Sequence, residues 1–314
     1  MKWKILVSAP YMQPVVDQFQ EYFESHDAEV LLPVVNERLN EAQLMELVGD
    51  IDGVIAGDDQ FTEAVLEKAV PRLKVLSKWG TGIDSFDQQA CARLGVAIRN
   101  TPGAFTEPVA DSVMGYVLNF ARKLPWMDQQ MKSGVWDKIP GRALNEMTLG
   151  IIGLGNIGTA VALRAKSFGM TVIANDIREI SSEVLERTGA RMTSREELLG
   201  KADIVSVNCD LNPSSFHLMN KESFALMRSS AIVINMARGP IVEEESLIEV
   251  LENEAIAGAA LDVFEHEPLP GDSPLKSMSN VMLAPHNSNS SPQAWARVHE
   301  NTLKNLFAVL EESK

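Results

Sequence analysis

The chain has 314 residues, 45% of them hydrophobic, which suffices for two domain cores and excludes a disordered or fibrous protein. Its 28 lysines and arginines against 43 aspartates and glutamates give a net charge of −15, which repels phosphate backbones and anionic lipid surfaces, so neither nucleic acid nor membrane is expected as a partner. The amino-terminal apolar run from Ile5 to Val7 is too short for a signal core, and the two cysteines and five histidines show no metal-ligand spacing, so a soluble cytoplasmic protein without metal is expected.

Short β-branched runs alternate with amphipathic stretches almost from end to end, the pattern of parallel sheets built from βα units. Residues 4–8, 53–56, 73–77 and 96–99 read as strands and 15–25, 41–48 and 62–69 as helices, a small doubly wound unit. Residues 121–144, with Trp126, Met127, Met131, Val135 and Trp136 among polar neighbours, are too many for a simple connection and are expected to project and dimerise. A second series, 149–153, 171–175, 204–208, 231–235, 258–263 and 280–284, supplies the six strands of a dinucleotide-binding sheet. Glu243, Glu244 and Glu245 read as a solvated first helical turn favoured by the helix dipole. Residues 292–312 carry Trp295, Val298, Leu303, Leu306 and Leu310 at near-helical spacing and are expected to pack back on the first domain. The expected fold is therefore α/β with two doubly wound parallel-sheet domains: a Rossmann domain at 100–287, inserted in a flavodoxin-like substrate domain at 1–99 and 288–314.

Residues 149–158 form an apolar strand running straight into G-x-G-x-x-G, with Gly153, Gly155, Asn156, Ile157 and Gly158 at the start of the next helix. The first glycine permits the tight turn, the second lets the backbone approach a pyrophosphate held by the helix N-terminus, and the third allows helix to pack on strand. A second strand ends in Asp176, 18 residues after Gly158, where a carboxylate can accept hydrogen bonds from ribose hydroxyls and repel a 2′-phosphate. NAD is the expected cofactor over NADP, with Arg178 close enough to soften the preference; S-adenosylmethionine is the alternative ligand for such a sheet.

Ligands bind beyond the carboxyl ends of strands in these sheets, which singles out three strand exits. One leads into Met236-Ala237-Arg238-Gly239, the second into Phe264-Glu265-His266-Glu267-Pro268, and the third into Pro285-His286. Oxidising a secondary alcohol requires a base for the hydroxyl proton, which histidine supplies near neutral pH, with a carboxylate to orient it and an arginine fork to hold a substrate carboxylate. His286, Glu267 and Arg238 are the expected catalytic set. His266 is the rival base, and His26, His217 and His299 are read as structural.

These motifs, in this order over nearly the whole chain, resemble the D-isomer-specific 2-hydroxyacid dehydrogenases, most nearly the phosphoglycerate dehydrogenase branch. The resemblance implies hydride transfer between NAD(H) and a D-2-hydroxy acid or its 2-oxo acid, with D-3-phosphoglycerate as a candidate substrate. It implies that Lys78, Gly80, Thr81 and Gly82 join Arg238 in holding substrate, that Thr106, Ala237 and Asp262 adjoin the cofactor, and that the protein is a homodimer joined through its cofactor domain. The chain departs from that branch at Ala56-Gly57-Asp58-Asp59, where a phosphate would find no cation, at Asp111 in place of the usual glutamate, and at Asn287 to Ser290, where glycines are common. Glu267 in place of glutamine argues against formate oxidation. The alternative reading is a non-catalytic NAD(H)-sensing protein, like the transcriptional corepressors of this fold.

Overall fold

The computed structural model describes residues 2–313, which form two compact units. One comprises the described residues through Phe105 and from Ser291 onward, the other Thr106–Ser290. The divisions fall a few residues beyond the expected crossings at 99/100 and 287/288.

The first unit alternates β1 (Trp3–Val7), α1 (Gln20–Ser25), β2 (Ala28–Leu31), α2 (Glu41–Leu47), β3 (Gly53–Ala56), α3 (Glu63–Ala69), β4 (Val75–Lys78), α4 (Gln88–Leu94) and β5 (Ala97–Arg99). All pairings are parallel, in the order β2-β1-β3-β4-β5, the flavodoxin-like arrangement. Strand β2 escaped the sequence reading because it is a short edge strand with Glu29 inside it, so neither length nor alternation marks it. The central strands β3 and β4 are buried throughout, which explains the apolar run of β3, while β4 ends in the buried polar residues Ser77 and Lys78. Leu6, Val54, Leu76, Phe61 and Leu66 lie in one core layer.

The C-terminal helix Pro292–Glu312 belongs to this unit, as expected, and begins with Ser291 accepting from the Ala294 amide and Pro292 in the first turn. It buries Val298, Leu303, Leu306, Phe307 and Leu310. Polar contacts fix its rotation: Ser77 Oγ donates to Thr302 O at 2.7 Å and Trp79 Nε1 donates to His299 Nδ1 at 2.9 Å. Since the indole can only donate, His299 Nδ1 must accept, and burial pushes the imidazole pKa down, so this histidine is neutral.

The second unit opens with α5 (Thr106–Arg122) and α6 (Leu124–Lys132). It continues through β6 (Thr148–Ile152), α7 (Asn156–Ser167), β7 (Thr171–Asn175), α8 (Ser182–Thr188), β8 (Arg191–Met192), α9 (Arg195–Lys201), β9 (Ile204–Val207), α10 (Lys221–Ala225), β10 (Ile232–Asn235), α11 (Glu244–Glu252), β11 (Gly258–Leu261) and β12 (Val281–Leu283). The sheet has seven parallel strands, not the six expected, in the order β12-β11-β10-β9-β6-β7-β8. The additional strand, β8, has two residues, too few to show a period. Chain direction reverses its progress across the sheet between β6 and β9, the switch point at which a dinucleotide fold opens its crevice.

Helix α6 buries none of its residues. Met131 is 51% exposed and Trp136, in the segment after it, 85% exposed, so residues 124–136 present apolar surface. Trp126 is the exception, with its indole N–H on Ser279 O at 3.0 Å and its ring 5.3 Å from that of Phe120. Among the described residues no helix is long and apolar enough to cross a membrane.

Candidate active site

Strand β6 leads directly into Gly153, at φ +90°, where an added Cβ would lie 2.7 Å from the Cys209 amide nitrogen. Glycine is required there both by the left-handed backbone and by the approach of the chain leaving β9. Gly155 caps α7, and a Cβ there would meet only Arg178 Nη2, at 3.6 Å, so the space over the helix start is open. Asn156 and Ile157 begin the helix, where amides have no intrahelical acceptor and the dipole favours an anion.

Asp176 follows β7 with its side chain 4% exposed. Its Oδ2 accepts from the Leu154 amide at 2.8 Å and Arg178 Nη2 at 2.9 Å, and its Oδ1 from the Arg178 amide at 2.9 Å and Nε at 3.0 Å. Burial pushes this carboxyl up, but the guanidinium and the two amides outweigh burial and hold it below the usual carboxylate range. An open helix N-terminus beside a glycine, followed by an ionised carboxylate at the next strand end, fits the pyrophosphate and ribose of a dinucleotide.

The three catalytic candidates leave neighbouring strands. After β10, Asn235 closes a tight loop, its Nδ2 donating to Arg238 O at 2.9 Å and its Oδ1 accepting from the Ala237 amide at 3.1 Å. Arg238 is half-buried and donates from Nη1 to Ala237 O at 2.9 Å. Gly239 lies against the next strand exit so closely that a Cβ would fall 1.9 Å from the carbonyl carbon and oxygen of Phe264. The arginine loop and the glutamate loop therefore touch backbone to backbone.

Asp262, expected beside the cofactor, has another visible task. It is buried after β11, and its carboxylate accepts from the Asn287 amide at 2.7 Å and the Ser288 amide at 2.9 Å. Its carbonyl accepts from the His286 amide at 2.8 Å. These bonds hold His286 at φ +50°, a backbone conformation that needs such support in a residue with a side chain. Glu267 Oε1 accepts from the Phe264 amide at 3.0 Å, and Oε2 lies 3.0 Å from His286 Nδ1. A carboxylate can only accept, so Nδ1 carries a proton and Nε2 is the nitrogen whose protonation can change. His266, the rival base, is exposed. Among the described residues no group of three or more His, Cys, Asp or Glu side chains is placed to hold a metal.

In the first unit, Lys78 is not an exposed cation. Its side chain is 4% exposed, and Nζ donates to Gly57 O and to Asp58 Oδ1, each at 2.7 Å. The following loop is oriented by its carbonyls: Gly80 O accepts from the Thr101 amide at 2.9 Å and Thr81 O from Asn100 Nδ2 at 2.6 Å. Peptide planarity turns the Thr81 and Gly82 amides the opposite way. Thr106 opens α5, and Asp111 pairs with Arg164 at 2.7 Å, tying α5 to α7.

The family model of the D-isomer specific 2-hydroxyacid dehydrogenase, NAD binding domain, matches residues 114–288, more than half of the chain. The chain belongs to this family. It is 36% identical over 275 residues to a glyoxylate reductase of Thermofilum pendens, a match covering 86% of this chain and 81% of that one. It is 37% identical over 295 residues to a D-3-phosphoglycerate dehydrogenase of Methanocaldococcus jannaschii, covering 93% of this chain and 54% of that protein. The crystal structure of a D-lactate dehydrogenase from Aquifex aeolicus with NAD and lactic acid superimposes with a TM-score of 0.88 at 26% identity, covering 98% of this chain and 96% of that one. The chain is accordingly an NAD-dependent 2-hydroxyacid dehydrogenase, and NAD is its cofactor.

The sequence reading missed the partners that fix the site: Asn235, the grip of Asp262 on the His286 loop, and His217, whose Nε2 lies 2.6 Å from Glu265 Oε1. Glu243 and Glu244 are half-buried beside that contact rather than solvated. Nothing local marks His217, since its partner is 48 positions away.

Proposed function

We propose that this dehydrogenase reduces small, unphosphorylated 2-oxo acids, glyoxylate among them, with NADH, and oxidises the matching 2-hydroxy acids in reverse. The observation that carries this reading is the His286–Glu267 pair at 3.0 Å, delivered by neighbouring strand exits of the cofactor sheet beside the Arg238 loop. Bound NADH supplies a hydride to C2 of the oxo acid. His286 Nε2 gives the proton that completes the hydroxyl and takes it back in the oxidation, while Glu267 fixes the ring and favours its charged form. Arg238 holds the substrate carboxylate through its fork and polarises the adjacent carbonyl oxygen.

Phosphoglycerate is disfavoured by the first unit's charges. Ala56 pairs with Lys78 in the sheet, so Gly57 to Asp59 and the substrate loop leave their strands side by side. The cation there is already bound to Asp58, and Asp59 is buried, accepting from Ser8 Oγ and from the Leu39 and Gly57 amides. A substrate phosphate would meet no uncommitted positive charge from these residues. The similarity to a glyoxylate reductase, covered to 81% of its length against 54% for the phosphoglycerate dehydrogenase, supports glyoxylate as a substrate. The exposed apolar surface at 124–136 supports a homodimer joined through the cofactor unit.

The test is consumption of NADH with glyoxylate, hydroxypyruvate, pyruvate and 3-phosphohydroxypyruvate. Turnover of the first two is expected, with kcat/KM for the phosphorylated acid lower by about tenfold or more, the equivalent of one lost charge-assisted contact. NADH binding without consumption of any acid would replace this reading with the sensor. Cofactor choice is assigned to Asp176. Asp176→Ala, which removes the charge repelling a 2′-phosphate and releases Arg178 to bind one, is expected to shift the NADH to NADPH ratio of kcat/KM by roughly 10- to 100-fold towards NADPH. An unchanged ratio would reassign the discrimination to other residues.

A further inference from the structure

We infer that His217 is a positioning residue of the active site, holding the Arg238 loop through its backbone and the Glu267 loop through its side chain. The inference rests on the catalytic roles proposed for Arg238, Glu267 and His286. On one side, the His217 amide donates to Pro240 O at 2.8 Å, and the strand-like bridge between Met219 and Val242 continues the contact, with Met219 N on Ile241 O at 3.0 Å and Glu243 N on Met219 O at 2.9 Å. This stretch is the immediate continuation of Arg238. On the other side, His217 Nε2 lies 2.6 Å from Glu265 Oε1, two residues before Glu267. Because the carboxylate accepts, Nε2 bears the proton. One residue thus spans the two loops whose backbones already meet at Gly239 and Phe264.

The surroundings are built for a donor at this point. His217 sits at φ +49°, like His286 a positive-φ residue with a side chain, and its ring stacks on Phe216 at 4.0 Å and 18°. Two carboxylates face it, Glu265 from the loop after β11 and Glu243 from the start of α11, and a third, Glu244, lies against Glu265. Glu243 Oε1 lies 3.6 Å from Nδ1, and Glu244 exchanges backbone contacts of 3.4 Å with Glu265 in both directions. Burial raises the Glu244 carboxyl pKa, and the Glu265 charge adds to it, while the Glu265 amide and the charge of His266 act in the opposite direction. Lys221 pairs with Glu249 on the next helix and also feels the charge of Glu243, and His266 is exposed, so His217 is the group whose ring N–H reaches Glu265 directly. His217 is the donor that lets Glu265 sit against two further acids, and the position of Glu265 sets that of Glu267, whose Oε1 is held by the Phe264 amide in the same turn.

The test compares His217→Ala, His217→Gln, Glu265→Ala and His286→Ala in NADH-dependent glyoxylate reduction across pH. His217→Ala is expected to lower kcat/KM by roughly 10- to 100-fold, as misplaced catalytic groups do, with NADH affinity unchanged by fluorescence. Its alkaline limb, which reports the acid that protonates the product, is expected to move to lower pH by about half a unit to one unit, because Glu267 then favours the charged imidazole less. His217→Gln retains an N–H for Glu265 and is expected to recover most of the activity. A limb that stays at its wild-type pH in His217→Ala overturns the proposal, whether or not kcat falls. If His217→Ala does not fold, Glu265→Ala, which removes the acceptor of the His217 contact, carries the same expectation and an unmoved limb there overturns it equally. Full activity of His286→Ala would instead remove the underlying reading, so the two failures are distinguishable.

Discussion

Replacing His286 by alanine is expected to lower kcat for glyoxylate reduction by roughly 10²- to 10⁴-fold while leaving NADH binding intact. The size follows from what the imidazole does: the hydride cannot reach carbon productively unless the oxygen is protonated, and water is a poor and badly placed donor. The structure explains why no neighbour substitutes. His266 is exposed, and His217 is held by Glu265 at 2.6 Å. His286 itself is held three ways, by the Asp262 carbonyl at its amide, by the Asp262 carboxylate at the two amides that follow, and by Glu267 at Nδ1. Glu267→Gln is expected to cost less than His286→Ala, since an amide can still accept from Nδ1 but no longer favours the charged ring. Stopped-flow and steady-state rates with matched NADH titrations check this, and turnover near wild type in His286→Ala would show that another group moves the proton.

The second large effect is expected from Gly158→Ala. A Cβ at this position would lie 2.0 Å from Gly153 O and 3.1 Å from Gly153 C, backbone atoms that cannot rotate aside as a side chain can. Helix α7 must then lift off the loop after β6, at about 1 to 3 kcal/mol of stability for an overpacked site. The amides at the helix start also leave the anion position, so NADH affinity is expected to fall by tenfold or more. Gly155→Ala separates the two consequences. There the added carbon meets only Arg178 Nη2 at 3.6 Å, so thermal unfolding without cofactor is expected to stay near wild type while NADH binding weakens, because the methyl group occupies the path of the pyrophosphate. Thermal unfolding and NADH titration of both variants decide it, and a Gly158→Ala protein that melts like the wild type would show that the loop tolerates the displacement.

Much of this architecture is legible from residue order because each signal is local. The glycine run before α7, the carboxylate ending β7 and the apolar runs of β3, β6, β9 and β10 report turn geometry, anion binding and two-sided burial within a few positions of themselves. The same locality explains the failures. Strand β2 is a partly exposed edge and β8 has two residues, so their existence depends on a neighbouring strand's unpaired backbone more than on their own side chains. The three consecutive glutamates at 243–245 look like a solvated turn for the same reason. Two of them face acid and imidazole brought from elsewhere.

The residue types and their order determined that the chain makes two parallel sheets, that one opens on a dinucleotide motif, and that a histidine, a glutamate and an arginine leave consecutive strand exits. Whether those groups meet was not determined there, because Glu267 and His286 lie 19 positions apart and hydrogen bonding acts over about 3 Å. Tertiary structure decided that, and it decided which charges are already committed. That the Lys78 ammonium rests on Asp58, and that the Asp262 carboxylate holds the amides behind His286, is visible only in the folded chain. A side chain's chemistry is a property of its type, while its availability is a property of the partners that folding brings within bonding distance.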